Sequence, residues 1–152
     1  MCYGVFALVW LTDISNREYV RLRVFADKSE KTVITFEPLK INDAPDWDPQ
    51  WEEWNCYYAP LMIPLSDFKR LLSGYFDKIY PTRDAIDGTP EKYFDVCSPD
   101  WIGEKDWRII IGAVQADLNS FSGIERKFYG DFLDWLDEAL EHTSIIVAEG
   151  NL

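Results

Sequence analysis

Histidine is nearly absent from this chain, and the residue patterns of common catalytic sites are missing. His142 is the only histidine, so a Ser-His-Asp or Cys-His arrangement would have to use it, and no nucleophile-elbow pattern accompanies Cys97 or any serine. HExxH, an EF-hand loop, a Walker-type GxxxxGK[ST] and GxGxxG are also lacking. Acidic residues are too numerous to nominate a catalytic pair. We therefore predict no enzyme, no cofactor and no metal site.

Cysteine is scarce as well. Cys2, Cys56 and Cys97 make an odd count without CxxC spacing, which indicates neither a disulfide framework nor a thiolate zinc site and favours a reducing compartment. The apolar stretch from Met1 to Trp10 lacks a basic leading segment and a small-residue cleavage site, and Asp13 interrupts it. We expect no signal peptide and no transmembrane span, hence a cytoplasmic protein.

Positive charge is in short supply. The chain has 15 Lys and Arg against 27 Asp and Glu, a net charge of −12. This excess argues against binding to a nucleic-acid backbone or an anionic membrane, whereas a basic protein partner is compatible with it. Aromatic residues make up 16% of the chain, too many for intrinsic disorder. We predict one domain over residues 1–152, with its own core, as a monomer or a homodimer.

Hydrophobic alternation predicts a sheet. The stretch Tyr3–Thr12 is apolar at both registers, which is typical of a central strand. Glu18–Ala26 and Thr32–Glu37 alternate more cleanly, and short polar turns join the three strands into an antiparallel meander. Glu91–Ser98 and Arg108–Leu118 resemble strands of a second hairpin.

Three shorter signals complete the fold prediction. Leu61–Leu65 is expected to be a short strand or an extended lead-in, and if it pairs, Pro64 places it at a sheet edge because proline cannot donate to a ladder. Ser66–Tyr80 and Ser122–Thr143 have helical periodicity, and Ser122 with Glu125 matches a capping box. The second helix is expected to turn these apolar residues to the core: Ile124, Phe128, Phe132, Trp135, Leu136, Ala139 and Leu140.

The last stretch, Ser144–Ala148, is β-branched and predicts a C-terminal strand. Together these patterns predict an α+β fold. Its sheet is mostly antiparallel and begins with the three-stranded meander, and two amphipathic helices pack on it.

Two acidic surfaces are candidates for partner binding. The irregular stretch Leu39–Pro60 mixes carboxylates with large rings, which supply much contact area at interfaces. Its candidate contact residues are Trp47, Asp48, Trp51, Glu52, Trp54 and Tyr57. On the polar side of the second helix, the acidic ridge comprises Asp131, Asp134, Glu138 and Glu141. The alternatives are a flap that packs over the core and a solubilising helix face.

The segment Tyr93–Ile102, YFDVCSPDWI, resembles a pattern of one immunity-protein family of bacterial polymorphic toxin systems. Phe94, Val96, Cys97, Pro99 and Trp101 match that pattern, in which Thr stands at the position of Ser98 and Leu at that of Ile102. The resemblance implies a small cytoplasmic protein that binds a cognate toxin and blocks it. Considered alone, the segment is a strand that runs into a turn, with Cys97 buried as a small apolar group.

Three functional hypotheses follow. The first is a non-catalytic inhibitor that neutralises a basic toxin or another cationic protein by occlusion, using the Trp-rich stretch and the acidic ridge. The second is a small-ligand or carbohydrate-binding domain, with the Trp-rich stretch over a pocket. The third is an interaction or oligomerisation module.

Overall fold

The computed structural model describes residues 19–39 and 59–151 and shows an α+β fold. Five strands form the main sheet in the order β1-β3-β2-β7-β6. Their bounds are β1 Val20–Arg21, β2 Val33–Pro38, β3 Leu61–Pro64, β6 Asp100–Gly103 and β7 Ile145–Gly150. The predicted strand Tyr3–Thr12 lies outside the described residues.

Four α-helices and a small two-stranded sheet accompany the main sheet. The helices are α1 Leu65–Leu71, α2 Ser73–Phe76, α3 Glu104–Asp117 and α4 Gly123–Ala139, and 3-10 turns follow α2 at Asp77–Ile79 and α3 at Leu118–Ser120. The small sheet pairs β4, Thr82–Arg83, with β5, Pro90–Glu91.

The main sheet is mixed, so the prediction of a mostly antiparallel sheet starting with a meander is wrong. β1 runs parallel to β3, whereas the β2–β3, β2–β7 and β6–β7 pairs are antiparallel. Of the predicted strand Glu18–Ala26, the described part begins at Tyr19, and within it only Val20–Arg21 is a strand, which does not pair with β2. The reason is a competing acceptor, because the N–H groups of residues 24–26 donate to the buried carboxylate of Asp67 instead of to a neighbouring strand.

The predicted second hairpin is also wrong. Arg108–Leu118 lies mostly in α3, where Trp107, Ile110 and Val114 are buried at helical spacing and Ile109 is exposed. Packing of that apolar face overrides the β-branched preference of the run. Of Glu91–Ser98, only Glu91 belongs to a strand.

The helix predicted over Ser122–Thr143 and the C-terminal strand are confirmed in position, whereas the helix predicted over Ser66–Tyr80 is divided at Leu72 into α1, α2 and a 3-10 turn. α1 begins at Leu65, one residue before the predicted start, and the Ser66 N–H donates to the Glu30 carboxylate at 3.0 Å. Ser122 stands at the start of α4 but makes no side-chain cap, so the capping box is wrong. Gly123 follows with a φ of 58°, a left-handed backbone conformation that does not belong to the capping-box motif.

Leu61–Leu65 contains a strand, as predicted, but not an edge strand, since β3 pairs with both β1 and β2. Pro64 is tolerated because β1 pairs only with Leu61 and Met62 of β3. Among the described residues, Pro64 therefore has no strand partner on the side that faces β1.

The centre of the core is Phe36 of β2, which is fully buried. Its ring contacts one ring from each of the four helices at centroid distances of 6.0–6.3 Å. These partners are Phe68 of α1, Phe76 of α2, Trp107 of α3 and Phe132 of α4. The predicted apolar face of α4 is buried except for Ile124, which is 59% exposed.

Candidate functional site

The acidic ridge lies on the C-terminal half of α4 and on the turn that follows it, because α4 ends at Ala139 and Glu141 lies beyond that end. Asp134, Glu138 and Glu141 are exposed and form no ion pair within residues 19–39 and 59–151. Asp131 differs from them, because its carboxylate is half-buried and accepts from the Lys127 ammonium at 2.7 Å. Within the described part of the chain, three of the four predicted ridge acids therefore carry a charge that no ion pair compensates.

Arg108, which lies beside the second half of this helix, is already engaged by other acids. The last turn of α4 contains no basic residue. The guanidinium of Arg108, on α3, donates to Asp137 at 3.2 Å and to Glu104 at 3.3 Å. Carboxylates at a helix C-terminus face the negative end of the helix dipole, an arrangement that disfavours the fold by a few tenths of a kcal/mol for each charge, roughly. Helix stability therefore does not account for the ridge.

The six candidate residues of the Trp-rich stretch lie outside the described residues, but both flanks of that stretch are fixed beside the end of α4. The Trp135 indole N–H donates to the Ala59 carbonyl at 3.0 Å. The Thr143 hydroxyl donates to the Leu39 carbonyl at 2.6 Å, and the Leu39 N–H donates to Ile145 at 3.0 Å. The antiparallel register that pairs Phe36 with Leu61 also brings these two flanks side by side.

The segment that carries the immunity-protein resemblance divides into an irregular part, residues 93–99, and β6. Phe94 packs on Phe68 and Phe76 at centroid distances of 5.1 and 5.3 Å. Cys97 is exposed, so the expectation that it is buried is wrong. Asp95 causes this by accepting from the Cys97 N–H and the Ser98 hydroxyl, which closes a tight turn.

Asp100, the first residue of β6, is a feature that sequence reasoning missed. Its side chain is 8% exposed, Oδ1 accepts from the Asp95 N–H at 3.1 Å, and Oδ2 has no hydrogen-bond partner. Burial raises the pKa of this carboxyl to about 8, and nearby carboxylates add to the rise. In the sequence, Asp100 follows Pro99 and looks like an ordinary turn residue.

Two hollows lie on the described surface. One, of about 320 Å³, runs between the β1 region and the first half of α4 and combines Leu22, Ile124 and Phe128 with three cations. Two of these cations are engaged: Arg23 donates to backbone carbonyls, and Lys127 pairs with Asp131. The other, of about 260 Å³, is formed by residues 90–93 and Asp95.

Over residues 19–39 and 59–151, no three or more His, Cys, Asp or Glu side chains are arranged to hold a metal ion. No helix in the same ranges is both long and apolar enough to cross a membrane. Comparison with protein-family models, with curated proteins and with solved structures gives no match.

Proposed function

We propose that this chain is a non-catalytic, immunity-type inhibitor that binds a basic protein, such as a toxin domain, and occludes its working surface. The observation that carries the proposal is the row of exposed, unpaired carboxylates at Asp134, Glu138 and Glu141. Asp134 and Glu138 lie one turn apart on α4 and Glu141 lies in the turn after it, so together they give one negative strip. A cationic partner gains from it chiefly in association rate, because complementary charge steers the encounter.

The position of the Trp-rich stretch supports a shared binding surface. Its flanks, Leu39 and Ala59, are held beside the end of α4 that carries the strip. Trp47, Trp51 and Trp54 would then supply the contact area that charge alone does not, since aromatic anchors dominate interface energetics. Asp48, Glu52 and Tyr57 complete the proposed contact set, and the four ridge acids steer.

The partner is best sought in the reading frame immediately upstream. We expect that frame to encode a secreted protein whose C-terminal domain is small and basic. Co-expression with this chain should rescue cells from that domain, and the two purified proteins should form a complex. The proposal is contradicted if the upstream frame belongs to a metabolic operon, or if its basic domain forms no complex with this chain.

Removing the unpaired charges should slow association. A triple variant, Asp134→Asn, Glu138→Gln and Glu141→Gln, should bind that basic domain about tenfold more slowly at low ionic strength, with a shallower dependence of the rate on salt. Stopped-flow or biosensor association rates over a salt series measure both quantities. Asp131→Asn alone should have a smaller effect, because Lys127 already compensates that charge.

The matched control removes the same charge elsewhere. Asp77, Asp87 and Asp117 are exposed and lie outside α4, so their triple Asn variant changes net charge equally. An equal loss of rate in this control would show that net charge acts, not the strip. An unchanged salt dependence in the α4 variant would exclude the ridge from the interface.

A further inference from the structure

Asp100 is surrounded by acidic groups from several elements. Glu91 of β5 and Glu149 of β7 face it, and the charge of each disfavours its ionised form. Asp95 of the loop acts both ways, because its N–H bond favours the ionised form and its own carboxylate disfavours it. The Tyr80 phenol also lies close, and its own pKa is raised by burial and by Asp100, Glu91 and Asp106 of α3, so it stays neutral over the same range. No Lys, Arg or His of the described chain forms an ion pair with Asp100.

Residues 91–99, here called the covering segment, lie over this carboxyl and are attached to the sheet at few points. The Asp95 N–H donates to Asp100 Oδ1 at 3.1 Å, and the Gly150 N–H donates to the Val96 carbonyl at 3.1 Å. The Phe94 ring adds an apolar contact with the helices. The approach at Gly150 is close, since a Cβ there would lie 2.6 Å from the Val96 oxygen.

We propose that Asp100 is a proton-operated latch, whose neutral carboxyl keeps the covering segment docked on the sheet and whose ionisation releases it. A buried carboxylate without a cation must be hydrated, and Oδ2 has no partner in the docked arrangement. The strands and helices around Asp100 are held by ladders and by the core. The covering segment pairs with β4 only at Glu91, makes two further backbone bonds to its surroundings, and packs through Phe94 and Val96. It is therefore the least firmly attached element around Asp100.

The sign of the pH dependence follows from linkage. The docked state holds the Asp100 proton up to a pKa of about 8, whereas a hydrated Asp loses it near about 4. Between these values the released state binds fewer protons, so the ratio of released to docked molecules rises up to about tenfold per pH unit. Above the docked-state pKa the ratio levels off.

Backbone hydrogen exchange measured by NMR on the full chain tests the latch. After correction for intrinsic rates, protection of the Asp95 and Gly150 amides relative to the Phe132 amide should fall at least about tenfold from pH 5.5 to 8.5. In Asp100→Asn the neutral amide cannot ionise, so the protection of these two amides relative to that of Phe132 should change less than about threefold over the same pH range. Equal falls in both proteins, or no fall in the native chain, would overturn the latch. So would an equal fall at Phe132, which signals global unfolding.

One further measurement and two further variants keep the test decisive if Asp100→Asn folds poorly. The ¹³C carboxyl shift of Asp100 in the native chain should titrate with a midpoint near 8, and a midpoint below about 6 would overturn the proposal. Burial also raises the pKa of Glu149, so Glu149→Gln tests the other buried acid. The pH-dependent fall should persist, with the Asp100 midpoint moved to lower pH because one facing carboxylate is removed. Gly150→Ala should displace Val96 and lower Asp95 protection at both pH values, and unchanged protection there would contradict the docking contact.

Discussion

Replacing Phe36 with alanine is expected to lower the free energy of unfolding by about 3–5 kcal/mol. The residue is fully buried, and its ring contacts one aromatic ring from each of α1, α2, α3 and α4. Truncation therefore leaves a cavity bordered by all four helices at once, and those rings cannot collapse together without moving the helices. Urea denaturation followed by circular dichroism measures the effect.

The control for this prediction is Tyr93→Ala, which removes a ring that is 68% exposed. It should change the free energy of unfolding by no more than about 0.5 kcal/mol. Phe36→Leu, which keeps most of the apolar volume, should have an intermediate effect. A loss below about 1 kcal/mol in Phe36→Ala would show that the ring contacts do not organise the core.

Replacing Asp67 with alanine should have an effect of similar size, about 3–5 kcal/mol. Asp67 is fully buried in the first turn of α1, where the helix dipole favours negative charge. Its carboxylate accepts from the N–H groups of Val24, Phe25 and Ala26 at 2.7, 2.8 and 3.0 Å. Without it, three backbone donors lose their acceptor, and the chain after β1 loses its attachment to α1.

Asp67→Asn tests whether the charge matters beyond the shape. The amide keeps one acceptor oxygen but turns an N–H group toward backbone donors. We therefore expect a free energy of unfolding between that of the native chain and that of Asp67→Ala. Asp77→Asn, on an exposed acid after α2, should be neutral within about 0.5 kcal/mol. Equal stability of Asp67→Ala and Asp77→Asn would contradict the structural role of the carboxylate.

The parts of the fold that could be predicted are those whose hydrophobic spacing is compatible with only one type of secondary structure. The spacing of Phe128, Phe132 and Leu136 fits only a helix, and the β-branched run after α4 fits only a strand, and both are present. Arg108–Leu118 fits either pattern, and the choice depends on the rings that Trp107 meets in the folded core. Such tertiary packing is not visible in a local sequence pattern.

The candidate site was predictable to a similar degree. Helical spacing places Asp134, Glu138 and Glu141 together, but only the folded chain shows that Asp131 is compensated by Lys127 and the others are not. Asp67 and Asp100 could not be found from sequence, because the burial of each depends on tertiary contacts that a local pattern does not show. The acceptor role of Asp67 links residues 41–43 positions apart.

The paired anchors at Leu39 and Ala59 fix the two points between which residues 40–58 must run. The entropy of closing a loop rises only with the logarithm of its length, about 0.6 kcal/mol for each doubling. The bonds to Trp135, Thr143 and Ile145 are made by the anchors themselves and not by the stretch between them. If that stretch is the proposed contact surface, its length can change at little entropic cost while the frame, centred on Phe36, stays constant.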